Sequence, residues 1–227
     1  MQIASPSVLG PQARGLSLLN GSIALSALLA ITAQQMGYQQ WFFFLKPLTT
    51  ILILIVPFRF GNRQLTSYRY GILLALVFCL AGDVFLLKES QFIYGLGAFL
   101  VAHLLFSYSF ISLGGFRKEI APFLLLLAIG AGVYFLIQPG LGALAPAVLV
   151  YIAAIVFMGW QGLSLYLWKP TKTFMLVGMA VLLFIFSDSI IAINKFRFPF
   201  ALSGVLILAT YWCSIALLAN STCRRDR

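Results

Sequence analysis

The sequence predicts an all-α, polytopic membrane helical bundle of eight transmembrane helices, and three observations predict it. The first is composition. Of 227 residues, 62% are hydrophobic and 9% charged, with a mean hydropathy of +1.01. A soluble domain carries about 25% charged and about 45–50% apolar residues, so most of this chain is suited to hydrocarbon rather than water. The second is periodic interruption: apolar runs of about 20 residues, each able to cross a bilayer core, alternate with short breaks rich in Pro, Gly and charge. The third is a one-sided distribution of Lys and Arg. The length suits one compact transmembrane domain over residues 1–227.

The segments follow in order. The first, near 15–36, comes after Arg14 and resembles a signal peptide, but its apolar stretch is long for that role and reads as a spanning helix. The second, near 41–58, starts after an interruption of only a few residues around Gly37. Pro57–Gly61 ends it, and a third follows near 68–87. Lys88–Gln91 then separates a fourth, near 92–113, and Gly114–Lys118 a fifth, near 121–138. Pro139–Gly142 precedes the sixth, near 144–168. Lys169–Thr173 precedes the seventh, near 173–194, and Lys195–Pro199 the eighth, near 200–220.

An even number of crossings puts both termini on one side. That side would hold Arg14, Arg59, Arg63, Arg69, Arg117, Lys118, Lys169, Lys172, Arg224, Arg225 and Arg227; the other would hold only Lys88, Lys195 and Arg197. Positive charge marks the cytoplasmic face, so both termini are expected in the cytoplasm. The net charge of +10 is thus a topology signal, and no clustered soluble patch suggests a nucleic-acid partner. The short chain and the lack of a retention tail favour a bacterial inner membrane over the endoplasmic reticulum. Cys79, Cys213 and Cys223 show no paired spacing, and the first two read as small hydrophobes within apolar segments.

Ionisable groups within the segments are few: Lys46, Asp83, His103 and Asp188. Such groups are costly in lipid and face a bundle interior or a wet cavity. At about 1.5 Å per residue, Asp83 and Asp188 lie roughly 21 and 22 Å along their segments, and Lys46 falls at a similar level. Three costly groups at one depth point to a single polar pocket toward the non-cytoplasmic leaflet. Two nearby carboxyls in low dielectric would share one proton, giving an acid beside a base. The plainer reading for each is a local hydrogen bond, for instance to Ser187 or Ser189. Lys46 either snorkels to the interface or balances an aspartate or a lipid phosphate, and His103 either packs or orients Asp83 or the substrate.

A weak internal likeness accompanies the acids. "FIYGLGAFL" from Phe92 matches "FPFALSGVL" from Phe198 at an offset of 106, and the two acids are 105 apart. This fits a parallel 4+4 repeat with its pseudo-two-fold along the membrane normal, each acid turned toward the other. Gly95, Gly97 and Ala98 read as a helix-packing seam rather than a phosphate loop. One histidine cannot build a three-His zinc site, and neither HExxH nor a G-x-S-x-G elbow occurs. Carboxylate acid–base chemistry or transport remains.

At these residues the sequence resembles the lysoplasmalogenase family, the YhhN/TMEM86-like integral membrane proteins. "LAGDVFLL", "YGLGAFLVAHLLFSYSF" and "LLFIFSDSIIAINKF" carry the resemblance, with "FLKPLTT", "PAVLVYIAAIVFMGW" and "TYW" in order around them. Ile215 stands where the family usually has a glutamine after the tyrosine. The resemblance implies a membrane hydrolase that cleaves the vinyl ether bond of a lysoplasmalogen to fatty aldehyde and glycerophosphocholine or glycerophosphoethanolamine. It implies Asp83 and Asp188 as the catalytic pair, with no metal or organic cofactor. The implied partners are the lysophospholipid substrate and membrane lipids. Lys46, His103, Tyr211, Tyr151, Ser187 and Asn194 are the substrate-binding candidates. The alternative is a proton-coupled lipid or small-molecule transporter using the same aspartates.

Overall fold

A computed structural model of the protein describes residues 10–224. Its helices are α1 (Pro11–Gln35), α2 (Gln39–Phe60), α3 (Thr66–Phe85), α4 (Phe92–Gly114), α5 (Ile120–Leu141), α6 (Ala145–Trp168), α7 (Lys172–Phe196) and α8 (Ser203–Ser221). No strand forms among the described residues. Within lipid, a helix satisfies its own backbone polar groups, which is why these apolar runs take this form.

Among the described residues, seven helical stretches are long and apolar enough to cross a membrane, one fewer than the sequence predicts, because α5 and α6 run together as the 49-residue stretch Ile120–Trp168. A single 3-10 turn, Gly142–Leu144, joins them, so no coil marks the break. A straight helix of that length would extend about 74 Å, more than twice a ~30 Å hydrocarbon core. The stretch instead bends at Gly142, whose φ of +50° lies in the left-handed region that a Cβ disfavours, and α5 packs back on α6. Gly37, with φ +74°, makes the same kind of reversal between α1 and α2.

The packing has two similar halves. α1 pairs with α2 and α5 with α6; α3 pairs with α4 and α7 with α8; α2 meets α3 and α6 meets α7. The halves join through α2–α8 and α4–α6, which are also counterparts. Two departures matter. α1 packs closely on α8, whereas α5, among the described residues, packs closely on α7 rather than on α4. The likeness of Phe92 to Phe198 does not extend to structure: Phe92 opens α4, while Phe198 precedes Pro199 in an exposed link and α8 starts at Ser203.

Close packing of α3 on α4 depends on small residues. A Cβ on Gly95 would meet Leu86 Cδ2 at 2.6 Å, and one on Gly82 would meet the Phe99 ring at 2.5 Å. Gly97 is not part of this seam, since no described residue lies within 4 Å of its Cβ position. Charges segregate to the two ends. Asn62, Trp168, Lys169 and Arg224 line one hollow, and the Arg117 guanidinium stacks 4.1 Å from the Trp168 ring. At the opposite end Lys195 Nζ donates to Glu89 at 2.5 Å. Arg225, Asp226 and Arg227 lie outside the described residues.

Candidate active site

Asp83 sits in the last turn of α3 with its side chain 1% exposed. Its Oδ2 accepts hydrogen bonds from Thr50 Oγ1 at 2.6 Å and Tyr211 OH at 2.9 Å. Lys46 Nζ lies 3.7 Å from its Oδ1. Lys46 and Thr50 are four residues apart on α2, hence on one face of that helix. Trp212 Nε1 donates to Thr50 Oγ1 at 3.3 Å and extends the network into α8.

Asp188 lies on α7 and is more open, its side chain 10% exposed. Tyr151 OH on α6 donates to its Oδ2 at 2.5 Å. His103 Nε2 on α4 approaches the same oxygen at 3.6 Å, too far for a hydrogen bond. Both His103 ring nitrogens are buried without a hydrogen-bond partner among the described residues. Edge-to-face contacts with Phe184 (4.8 Å) and Tyr151 (5.1 Å) hold the ring.

The two clusters are built alike. Asp83 takes partners from α2 and α8, and Asp188 takes them from the counterpart helices α6 and α4. Lys46 and Tyr151, which contact the respective acids, are 105 positions apart, as the acids are. The chemistry nevertheless differs. Asp83 has an ammonium beside it, whereas Asp188 has a phenol and an imidazole and no Lys or Arg partner among the described residues.

No hydrogen bond joins the two carboxyls among the described residues, so the shared proton expected from their matched depth has no direct bridge. Each acid instead has its own donors, Thr50 and Tyr211 at Asp83 and Tyr151 at Asp188. Between the clusters stand Phe99, Phe184 and Tyr211, each in edge contact with the other two at 5.6–6.4 Å.

An apolar cavity opens beside Asp188 between α4, α5, α6 and α7. Asp188 is its only charged lining residue; Tyr151 and Ser189 are the other polar ones. Asp83, Lys46, His103 and Tyr211 do not line it. No group of three His, Cys, Asp or Glu side chains that could hold a metal forms among the described residues.

Of the binding candidates, Lys46 and Tyr211 gather at Asp83, and Tyr151 and His103 at Asp188. Ser187 is occupied elsewhere: it is buried and donates to Ile207 O at 3.1 Å, tying α7 to α8. Asn194 Oδ1 accepts from Phe200 N at 3.2 Å and shapes the link after α7. Ser189 donates to Ile185 O in its own helix. Ile215 is fully buried and packs in the core. Thr50 and the Phe99–Phe184 wall were missed; the spacing of Thr50 from Lys46 was a usable signal, and the wall gave none.

A model of the YhhN family matches residues 41–222, a region that contains every residue of both clusters. The chain belongs to the YhhN family. Its curated relatives include proteins named lysoplasmalogenase TMEM86A from Bos taurus, 39% identical over 66% of this chain and 64% of that protein, and from Homo sapiens, 37% identical over the same shares. The chain thus spans just under two thirds of the length of these relatives. An Escherichia coli relative named uncharacterized membrane protein YhhN is 27% identical over 88% of this chain and 96% of its own length. No solved structure matches the chain. This YhhN family member is a multi-pass integral membrane protein.

Proposed function

We propose that this YhhN family protein hydrolyses the vinyl ether bond of lysoplasmalogens, with Asp188 as the reacting acid. The observation that carries the reading is a single carboxyl in the wall of an apolar cavity, held by Tyr151 at one oxygen. The other oxygen, Oδ1, has no protein hydrogen bond among the described residues and is available for a transferable proton. The names of the TMEM86A relatives support the substrate class. The segregation of Arg and Lys supports a cytoplasmic position for both termini.

The chemistry balances with water alone. Asp188 gives its proton to the β-carbon of the vinyl ether; the π electrons form the new C–H bond, and an ether-oxygen lone pair delocalises into an oxocarbenium ion. Water adds to the α-carbon and yields its proton to the Asp188 carboxylate, restoring the acid. The hemiacetal then breaks at its bond to the glyceryl oxygen, which takes the hydroxyl proton, leaving aldehyde and alcohol. Asp83, paired with Lys46, does not line the cavity and is a positioning group: it holds Tyr211, which packs on the Phe99–Phe184 wall beside the Asp188 site. His103 is a positioning residue that keeps Tyr151 and Asp188 in register.

Purified protein mixed with a lysoplasmalogen in detergent should release fatty aldehyde, while the ester-linked lysolipid stays intact. In D₂O the aldehyde should carry one deuterium on the carbon next to the carbonyl, because that hydrogen comes from the acid. Absence of aldehyde together with lipid uptake driven by a pH gradient in proteoliposomes would replace the hydrolase by a carrier.

A further inference from the structure

The cavity beside Asp188 is walled unequally. α5 packs on α6 and α7, and α4 packs on α3 and α6. Ring contacts between Phe92 and Phe196 and between Phe99 and Phe184 span the side between α4 and α7. Consecutive in the chain, α4 and α5 nevertheless make no extensive backbone approach among the described residues; Leu96 of α4 packs against the small cluster that Ile137 and Leu141 of α5 form with Val148. Leu96 of α4 and Ile129 of α5 both line the cavity, and Ile129 is 41% exposed on the face a bilayer would cover.

The corresponding place in the other half is shut. α1, the counterpart of α5, packs on α8, the counterpart of α4. The Gln34 amide of α1 presses so closely on Gly204 of α8 that a Cβ there would meet its Oε1 at 2.6 Å. One half-site is therefore sealed around Asp83, and the other is open at Asp188.

We propose that the gap between α4 and α5 is a lateral portal through which the aliphatic chain of a membrane-embedded single-chain lipid passes from the bilayer to Asp188. Apart from Asp188, Tyr151 and Ser189 the cavity lining is apolar. A chain that slides in sideways exchanges one hydrocarbon environment for another and exposes no methylene to water, whereas a route from the aqueous face would strip it from the membrane first. The portal rests on the proposed hydrolysis only for the nature of the bond presented to Asp188; passage of the chain needs no reaction.

The test replaces Leu96→Cys and Ile129→Cys in a C213A/C223A background, leaving buried Cys79 in place. The protein is reconstituted in phosphatidylcholine vesicles, bridged with reducible bis-thiosulfonate reagents of graded length, and exposed to a lysolipid with a diazirine in its chain. Labelling of cavity residues should fall to background when α4 and α5 are bridged and return on reduction, with aldehyde release following the same course. Recovery on reduction separates closure from misfolding. Labelling that ignores the bridge overturns the portal, as does failure of every reagent length to bridge the two positions. Gated labelling without aldehyde keeps the portal and removes the hydrolase; aldehyde with ungated labelling does the reverse.

Discussion

Asp188 and Asp83 are alike in sequence and unlike in setting, and substitutions should show it. Asp188→Asn should lower aldehyde release by at least about 10²-fold, the low end for loss of an acid–base group, in protein that still folds; a folded, nearly fully active variant refutes its role. Asp83→Asn leaves the Lys46 ammonium buried without a counter-charge, so it should cost stability as well as activity, on the order of 3–5 kcal/mol for a broken buried pair. The double variant D83N/K46M should recover much of that stability in thermal unfolding and little of the activity. If D83N and the double variant unfold alike, the 3.7 Å contact is not a stabilising pair.

At the scale of helices, the seam between α3 and α4 sets where Asp83 and His103 stand. Gly95→Val would drive a side chain into Leu86 Cδ2, 2.6 Å from the Cβ position, and should cost roughly 1–3 kcal/mol, the usual range for overpacking. Gly97→Ala meets open space and should stabilise by roughly 0.5–1 kcal/mol, because alanine loses less backbone entropy in a helix. Unfolding of both variants in one detergent provides the comparison; equal effects would contradict the close α3–α4 contact. The sequence correctly marked Gly95 as a packing residue but grouped Gly97 with it, since spacing alone does not say which face a neighbour covers.

For the whole molecule, the segregated charges predict that tags at both termini react from the cytoplasmic side of intact cells or spheroplasts. Tags on opposite sides would contradict an even number of crossings, and with it the division of Ile120–Trp168 into two passes. The Glu89–Lys195 pair joins the two halves at the other end, and Lys195 holds the Glu89 carboxyl below its usual range. With the folded value depressed, its contribution is present at neutral pH and lost as acid protonates Glu89. Because Glu89 is exposed, salt screens the pair, so Glu89→Gln should leave activity unchanged and shift the melting midpoint only slightly.

The sequence by itself determined the helices, because twenty apolar residues in lipid have few other ways to satisfy their backbone. It also determined the short set of ionisable groups, because each buried charge stands out against hydrocarbon. Only the tertiary structure decided how those groups are shared out. The acids' equal depth reads as one site along the chain, yet packing gives Asp83 to Lys46, Thr50 and Tyr211, and Asp188 to Tyr151 and His103. It likewise decided that α1 closes on α8 while α5 leaves α4. Which apolar faces meet depends on side-chain shape across helices far apart in sequence, and hydropathy carries no record of shape.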